Sequence, residues 1–275
     1  MEALSQALFF VLALAAAGAL AGLTAGLFGI GGGFVIVPVL LIVLPLFVPE
    51  SPHLVYVAVG TSLASIVVSS LRSAQAHHAA GAVDFEVLRG WSPWLVLGVL
   101  GGLALAAVVN GVVLLYLFAV GVLLYSVYFL LPERFETLVL PGMPTGAARA
   151  SLASLLGGFS ALLGIGGGTV TVLTMVVCSR PVHQAVGTAA AVGFIIGLPG
   201  ALGFLLLGLN AAQLPVGSVG YINLPALAAI SIASIFTAPV GARLAHRLDE
   251  RRLKRWFGIY LVVVSIGMFG KAAGA

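Results

Sequence analysis

Four glycines in five residues, Gly29-Ile30-Gly31-Gly32-Gly33, interrupt a long apolar run, and the same pattern returns as Gly164-Ile165-Gly166-Gly167-Gly168. The flanks repeat too. Residues 26–40 read GLFGIGGGFVIVPVL and residues 161–175 read ALLGIGGGTVTVLTM, identical at eight of fifteen positions. A glycine in a helix interior costs roughly 1 kcal/mol relative to alanine. Each cluster therefore breaks a helix that its apolar surroundings would otherwise continue. Breaks at corresponding places in two halves of a chain are the sequence pattern of a transporter whose binding site is built from an internal repeat.

The surroundings set the class. The chain is 61% hydrophobic and 7% charged, against roughly 25% charged residues in soluble domains. This composition calls for an all-α integral membrane protein with the lipid bilayer as its solvent. The net charge of +4 is a matter of topology rather than nucleic-acid binding, since no basic–aromatic pattern accompanies it. Cys178 is the sole cysteine, which excludes an intrachain disulfide and a cysteine-only metal site. No strand–helix unit or downstream Lys-Ser/Thr supports a phosphate loop. No His-Glu-x-x-His motif or buried Asp pair supports catalysis. No metal, cofactor or catalytic residue is therefore expected. The apolar run from Ala7 to Gly33 lacks a preceding basic stretch and reads as a retained first membrane segment rather than a signal peptide.

Ten apolar segments follow, five to a half. The first repeat, residues 1–131, comprises a hairpin over 6–48 (segments 6–28 and 34–48) and helices over 54–71, 91–109 and 111–131. A polar linker covers 132–148. The second repeat, 149–275, comprises a hairpin over 149–178 (segments 149–163 and 168–178) and helices over 184–208, 222–245 and 256–270. A span needs about 20 residues, yet segment 168–178 offers about 16 Å of helix and segment 34–48 contains Pro38 and Pro45. Each cluster is thus expected at the tip of a re-entrant or short helix pair. Irregular backbone at that depth requires burial in protein or a water-filled cavity.

Charge orients the chain. With the segments alternating sides, Arg72, Arg89, Arg134, Arg149, Arg180, Arg243, Arg247, Arg251, Arg252, Lys254 and Arg255 share one side, and only Lys271 lies on the other. The positive-inside rule makes the first side cytoplasmic and places both termini outside. Five segments per half is an odd number, so the halves are expected to have opposite orientation, as an inverted repeat.

A second echo is Ala58-Val59-Gly60-Thr61 against Ala185-Val186-Gly187-Thr188, each opening the third segment of its half. Helix breaks expose backbone N–H groups that carry partial positive charge, and glycine lets an anion approach them closely. The candidate substrate-binding residues are therefore Gly29, Gly31, Gly32, Gly33, Gly164, Gly166, Gly167 and Gly168, with the nearby hydroxyls of Thr61, Ser62, Thr169 and Thr188. His77 and His78 are candidates for proton coupling, and Arg72 and Arg180 for drawing anions to the cytoplasmic mouth. The same glycines also suit close helix packing, as do the pairs Gly22/Gly26 and Gly98/Gly102. The eight acids (Glu2, Glu50, Asp84, Glu86, Glu133, Glu136, Asp249 and Glu250) all fall outside the segments. That argues against an acid-based proton relay or a cation site and for a small anionic substrate.

With both clusters and the inverted halves in view, the chain resembles the sulfite exporter TauE/SafE family. The resemblance is carried by Gly29, Gly31, Gly32, Gly33 and Pro38, and by Gly164, Gly166, Gly167 and Gly168; Leu173 stands where the first copy has Pro38. It implies secondary transport, with export as the expected direction, of small sulfur-containing anions such as sulfite or organosulfonates across the cytoplasmic membrane by alternating access. The alternatives are an anion channel and a permease for another small anion or carboxylate. A homo-oligomer is left open.

The topology is testable directly. In a Cys178→Ser background, cysteines at Asn110 and Asn210 are expected to react with an impermeant maleimide added to intact cells. Labelling only after lysis would reverse the assignment.

Overall fold

A computed structural model describes residues 2–46, 51–131, 142–245 and 250–274, without the side chains of residues 2–7, 250 and 251. Most of the 132–148 linker lies outside the described residues, as do Glu50, Glu133, Arg134, Glu136, Arg247 and Asp249. The chain forms α1 (Glu2–Phe28), α2 (Gly33–Val43) with a 3-10 turn (Leu44–Leu46), α3 (Leu54–Ala79), α4 (Phe85–Ala106) and α5 (Gly111–Leu130). It continues with α6 (Gly146–Leu163), α7 (Gly168–Val177), α8 (Val182–Leu207), a two-stranded hairpin of β1 (Ser218–Val219) and β2 (Ile222–Asn223), α9 (Leu224–Leu244) and α10 (Glu250–Ala273). Among the described residues, eight of these helices are long and apolar enough to cross a membrane, while α2 and α7 are too short. This is an all-α integral membrane protein.

The helix ends depart from the apolar runs in an instructive way. α3 continues to Ala79, past Arg72, Gln75, His77 and His78, and α10 begins at Glu250, before Arg252, Lys254 and Arg255. Arg89 likewise lies inside α4. Polar residues with good helix propensity extend a helix beyond the stretch that hydropathy marks. These groups, expected in loops, sit on helices.

Short α2 contains Pro38. Proline has no N–H to give to the carbonyl four residues earlier, here that of Phe34. The Tyr260 hydroxyl donates to that carbonyl at 3.3 Å. At the other end of α2 the ammonium of Lys271 donates to Leu41 O at 3.0 Å, a favourable place for a cation at a helix C-terminus.

Helix contacts run between the two halves of the chain. α1 lies along α9, where Gly18, Gly22 and Gly26 face the backbone of Ile230, Ser234 and Ala238. α4 lies along α6 in the same manner, with Gly98 and Gly102 against Ser154 and Gly158. In both pairs the sequence numbers rise together, so the paired helices are parallel. Lipid supplies no hydrophobic drive between helices, and small residues let backbones approach closely. α3 packs on α8, and α5 on α10.

At the centre the two glycine turns cross. A Cβ on Gly33 would overlap the Gly164 carbonyl oxygen, and a Cβ on Gly168 would overlap that of Gly29. Gly33→Ala and Gly168→Ala should each cost about 1–3 kcal/mol through overpacking, read as a lowered melting temperature in detergent. Gly101→Ala, inside α4 where nothing lies within 4 Å of the new Cβ, should leave it unchanged or raise it slightly, since alanine is the better helix former.

Candidate functional site

The crossing is built from left-handed backbone. Gly29, Gly31 and Gly32 have φ of 69°, 78° and 79°, and Gly164 and Gly167 both have 66°. Only glycine takes these values readily. Gly32 caps α2 and Gly167 caps α7, neither with a side chain that could accept the first N–H groups of its helix. Both short helices therefore start with donors turned into the protein interior. The glycines also leave no space. A Cβ on Gly32 would come within 2.6 Å of the Ala21 carbonyl oxygen, and one on Gly167 within 2.9 Å of Ser160 Oγ. Packing and exposure of N–H groups are met by the same residues.

The hydroxyls expected near the turns have different occupations. Ser62 Oγ donates to Gly164 O at 2.7 Å, holding the second turn against α3. Ser69 Oγ donates to Gly31 O at 3.2 Å. Thr61 Oγ1 accepts from Asn223 N, and Thr188 Oγ1 accepts from Asp84 N, each at 2.8 Å. Asn223 and Asp84 are the N-caps of α9 and α4. The repeated Ala-Val-Gly-Thr thus has one task at both places: its threonine holds the start of the fourth helix of the other half, and its glycine, Gly60 or Gly187, makes room for the carbonyl of Tyr221 or Ala82. Thr171 and Thr174 donate back to Gly167 O and Val170 O in their own helix. Thr169 Oγ1, Ser160 Oγ and Ser70 Oγ are buried beside the crossing without a hydrogen-bond partner.

A cavity of about 270 Å³ leads from the exposed Val182 and His183 inward to Thr169. Phe28, Phe129 and Val172 form its apolar wall, and His77, His183 and Lys254 bring polar nitrogens. Lys254 is 6% exposed, its ammonium 5.8 Å from the centre of the Tyr128 ring. Clefts of this kind, apolar with a few placed polar groups, are where small ligands bind.

Of the remaining candidates, His77 is buried with Nε2 3.3 Å from Gly26 O. His78 is exposed and edge-on to Phe85 at 5.2 Å. Exposed Arg72 donates to Gln75 Oε1. Arg180 lies 3.7 Å from the Asp84 carboxylate, so it bridges the halves at the charged end. Asp84 is itself buried, accepting from Glu86 N and Val87 N at the start of α4. Cys178, at the end of α7, is buried too; burial pushes its thiol up while Arg180 draws it back. The structure brings Thr169, His77 and Ile30 of the first glycine turn to the cavity and leaves Arg72 and His78 on the surface.

Sequence reasoning passed over Lys254, Ser160 and Ser70. Lys254 was counted among topology charges because the apolar run begins at 256. Its signal was helical spacing: Leu253, Phe257 and Leu261 recur at four-residue intervals, and Lys254 adjoins that inward face.

These features define a polytopic helical membrane transporter. The chain belongs to the sulfite exporter TauE/SafE family, whose model matches residues 14–268. It is 36% identical over 269 residues to a probable membrane transporter protein of Haemophilus influenzae, covering 95% of this chain and 99% of the relative. A probable membrane transporter protein of Xylella fastidiosa is 28% identical, covering 90% and 91%. One of Methanocaldococcus jannaschii is 23% identical, covering 91% and 92%. No solved structure matches the chain.

The threonine links predict stability effects. Thr61→Val and Thr188→Val each strand a backbone N–H at a helix start and should cost about 1–2 kcal/mol, visible in thermal unfolding. The serine replacements should restore most of it. Equal stability of the valine variants would show that the N–H groups find other acceptors.

Proposed function

We propose that this protein is a secondary transporter of small oxyanions, of which sulfite and organosulfonates are the leading class, working by alternating access in the cytoplasmic membrane with both termini outside. The observation that carries the reading is the cavity that runs from the charged end of the molecule to the glycine crossing. Among the described lining residues the polar groups are His183, Lys254, Thr169 and His77, the last with Nε2 turned to Gly26 O, and none is a carboxylate. A dehydrated anion needs several donors, because an unpaired charge out of water costs many kcal/mol. Helix starts without caps supply more of them.

The halves act as inverted repeats of residues 1–131 and 149–275 around the crossing, with the cavity as the cytoplasmic entrance. Arg180 at that mouth adds to the attraction of anions. The family name points to sulfur oxyanions. A channel shares the architecture and differs in flux kinetics: a carrier saturates and exchanges substrate across the membrane.

Purified protein in proteoliposomes should take up radiolabelled sulfite or a small sulfonate saturably, with accelerated exchange when unlabelled substrate is present inside. Uptake of carboxylates alone would move the substrate class. Flux linear in concentration, without exchange, would make it a channel.

A further inference from the structure

The two glycine turns are alike in backbone, but their surroundings differ. Aligning Gly29–Gly33 with Gly164–Gly168 pairs Phe34 with Thr169 and Ala25 with Ser160. Phe34 is packed against Tyr125 at 5.0 Å and is 1% exposed. Ala25 offers only a methyl group, and its carbonyl already accepts from Ser73 Oγ. At these two places the start of α2 is therefore walled by an aromatic ring and a methyl; the hydroxyl beside the first turn is that of Ser70, 3.3 Å from where a Cβ on Gly31 would lie. At the start of α7 the equivalent places carry two hydroxyls. Ser160 is fully buried, and its Oγ lies against Gly167, 2.9 Å from where a Cβ on that residue would be, with Ile196 on the other side of the same position at 2.6 Å. Thr169 is 3% exposed and lines the cavity. Neither hydroxyl has a hydrogen-bond partner. The Tyr125 hydroxyl, likewise buried, lies beside Ser160 and is the protein group within reach of it.

A buried hydroxyl without a partner is costly, and native structures leave few of them. Two such groups flank one ten-residue helix start, Thr169 on the cavity side and Ser160 beside Gly167, next to N–H groups with no side-chain cap. An oxyanion is the acceptor that would satisfy all of them at once, with the N-terminal end of the helix favouring its charge. We propose that the substrate oxyanion is held one-sidedly, by the first turn of α7 with Ser160 and Thr169, and not equally by both glycine turns. The first turn is then the scaffold on which the second is seated, through the Gly33–Gly164 and Gly29–Gly168 contacts. This assignment rests on the oxyanion-transport reading above and specifies which groups bind.

The test is ligand-induced thermal stabilisation of the full-length protein in detergent, titrated with sulfite and, separately, methanesulfonate. Thr169→Val and Ser160→Ala should each raise the half-saturating concentration roughly ten-fold or more, as loss of a hydrogen bond to a charged group does. Thr169→Ser keeps the hydroxyl and should restore parental binding. Phe34→Leu, at the mirror position, should leave it unchanged. Alanine already stands at position 25, so Ser160→Ala is the variant sure to be accommodated, and it decides the matter if Thr169→Val is poorly folded. Parental binding by Ser160→Ala, or an equal loss in Phe34→Leu, would overturn the one-sided site while leaving anion transport standing. A parent stabilised by neither anion would overturn both.

Discussion

Everything in this molecule is arranged around one contact, the backbone-on-backbone crossing of two glycine turns. Gly33 rests on the carbonyl of Gly164, and Gly168 on that of Gly29. No side chain of any size fits between them. Because each turn ends one helix and starts another, the crossing fixes the origin of four helices at once: α1, α2, α6 and α7. The remaining long helices are positioned relative to these, α9 along α1 and α4 along α6, again through glycine-to-backbone contacts. In lipid there is no hydrophobic gain from bringing helices together. Close approach of backbones, with the dispersion it permits, is what remains.

Much of this was legible beforehand because glycine is punctuation. Two clusters in apolar runs read as two breaks, and the ten-residue α7 could not have been a span whatever its neighbours. The Gly22/Gly26 and Gly98/Gly102 pairs read as packing faces, which they are. Helix ends were less legible, because hydropathy marks where the bilayer would be and not where hydrogen bonding stops. α3 and α10 therefore run on through Arg72–His78 and Glu250–Arg255.

The site was legible in outline only. Periodicity identifies a turn that presents N–H groups, but the occupation of a given hydroxyl depends on the residue opposite it. Thr61 and Thr188 were drawn into the candidate site by their repetition. Their partners, Asn223 and Asp84, lie more than a hundred residues away in sequence, and no local pattern announces them. Ser160 was overlooked for the converse reason: it lies in an ordinary helical stretch, and only its place beside Gly167 makes it notable. Lys254 was hidden by the habit of assigning every basic residue near a helix end to topology.

The pairing of helices across the chain midpoint bears on how the protein is made. Chains emerge N-terminus first, so α1 enters the membrane long before α9, the helix it lies along, has been synthesised. For most of that interval Gly18, Gly22 and Gly26 lack the helix they will pack on, and Leu8, Phe9 and Leu12 on the same helix remain exposed in the finished protein. A helix this apolar on all sides is stable in the bilayer by itself and can wait. The first glycine turn has no such independence, since the carbonyl that Gly33 rests on belongs to a turn 135 residues later in the chain. The interior of the transporter thus closes late, as one event, when the second turn arrives to meet the first.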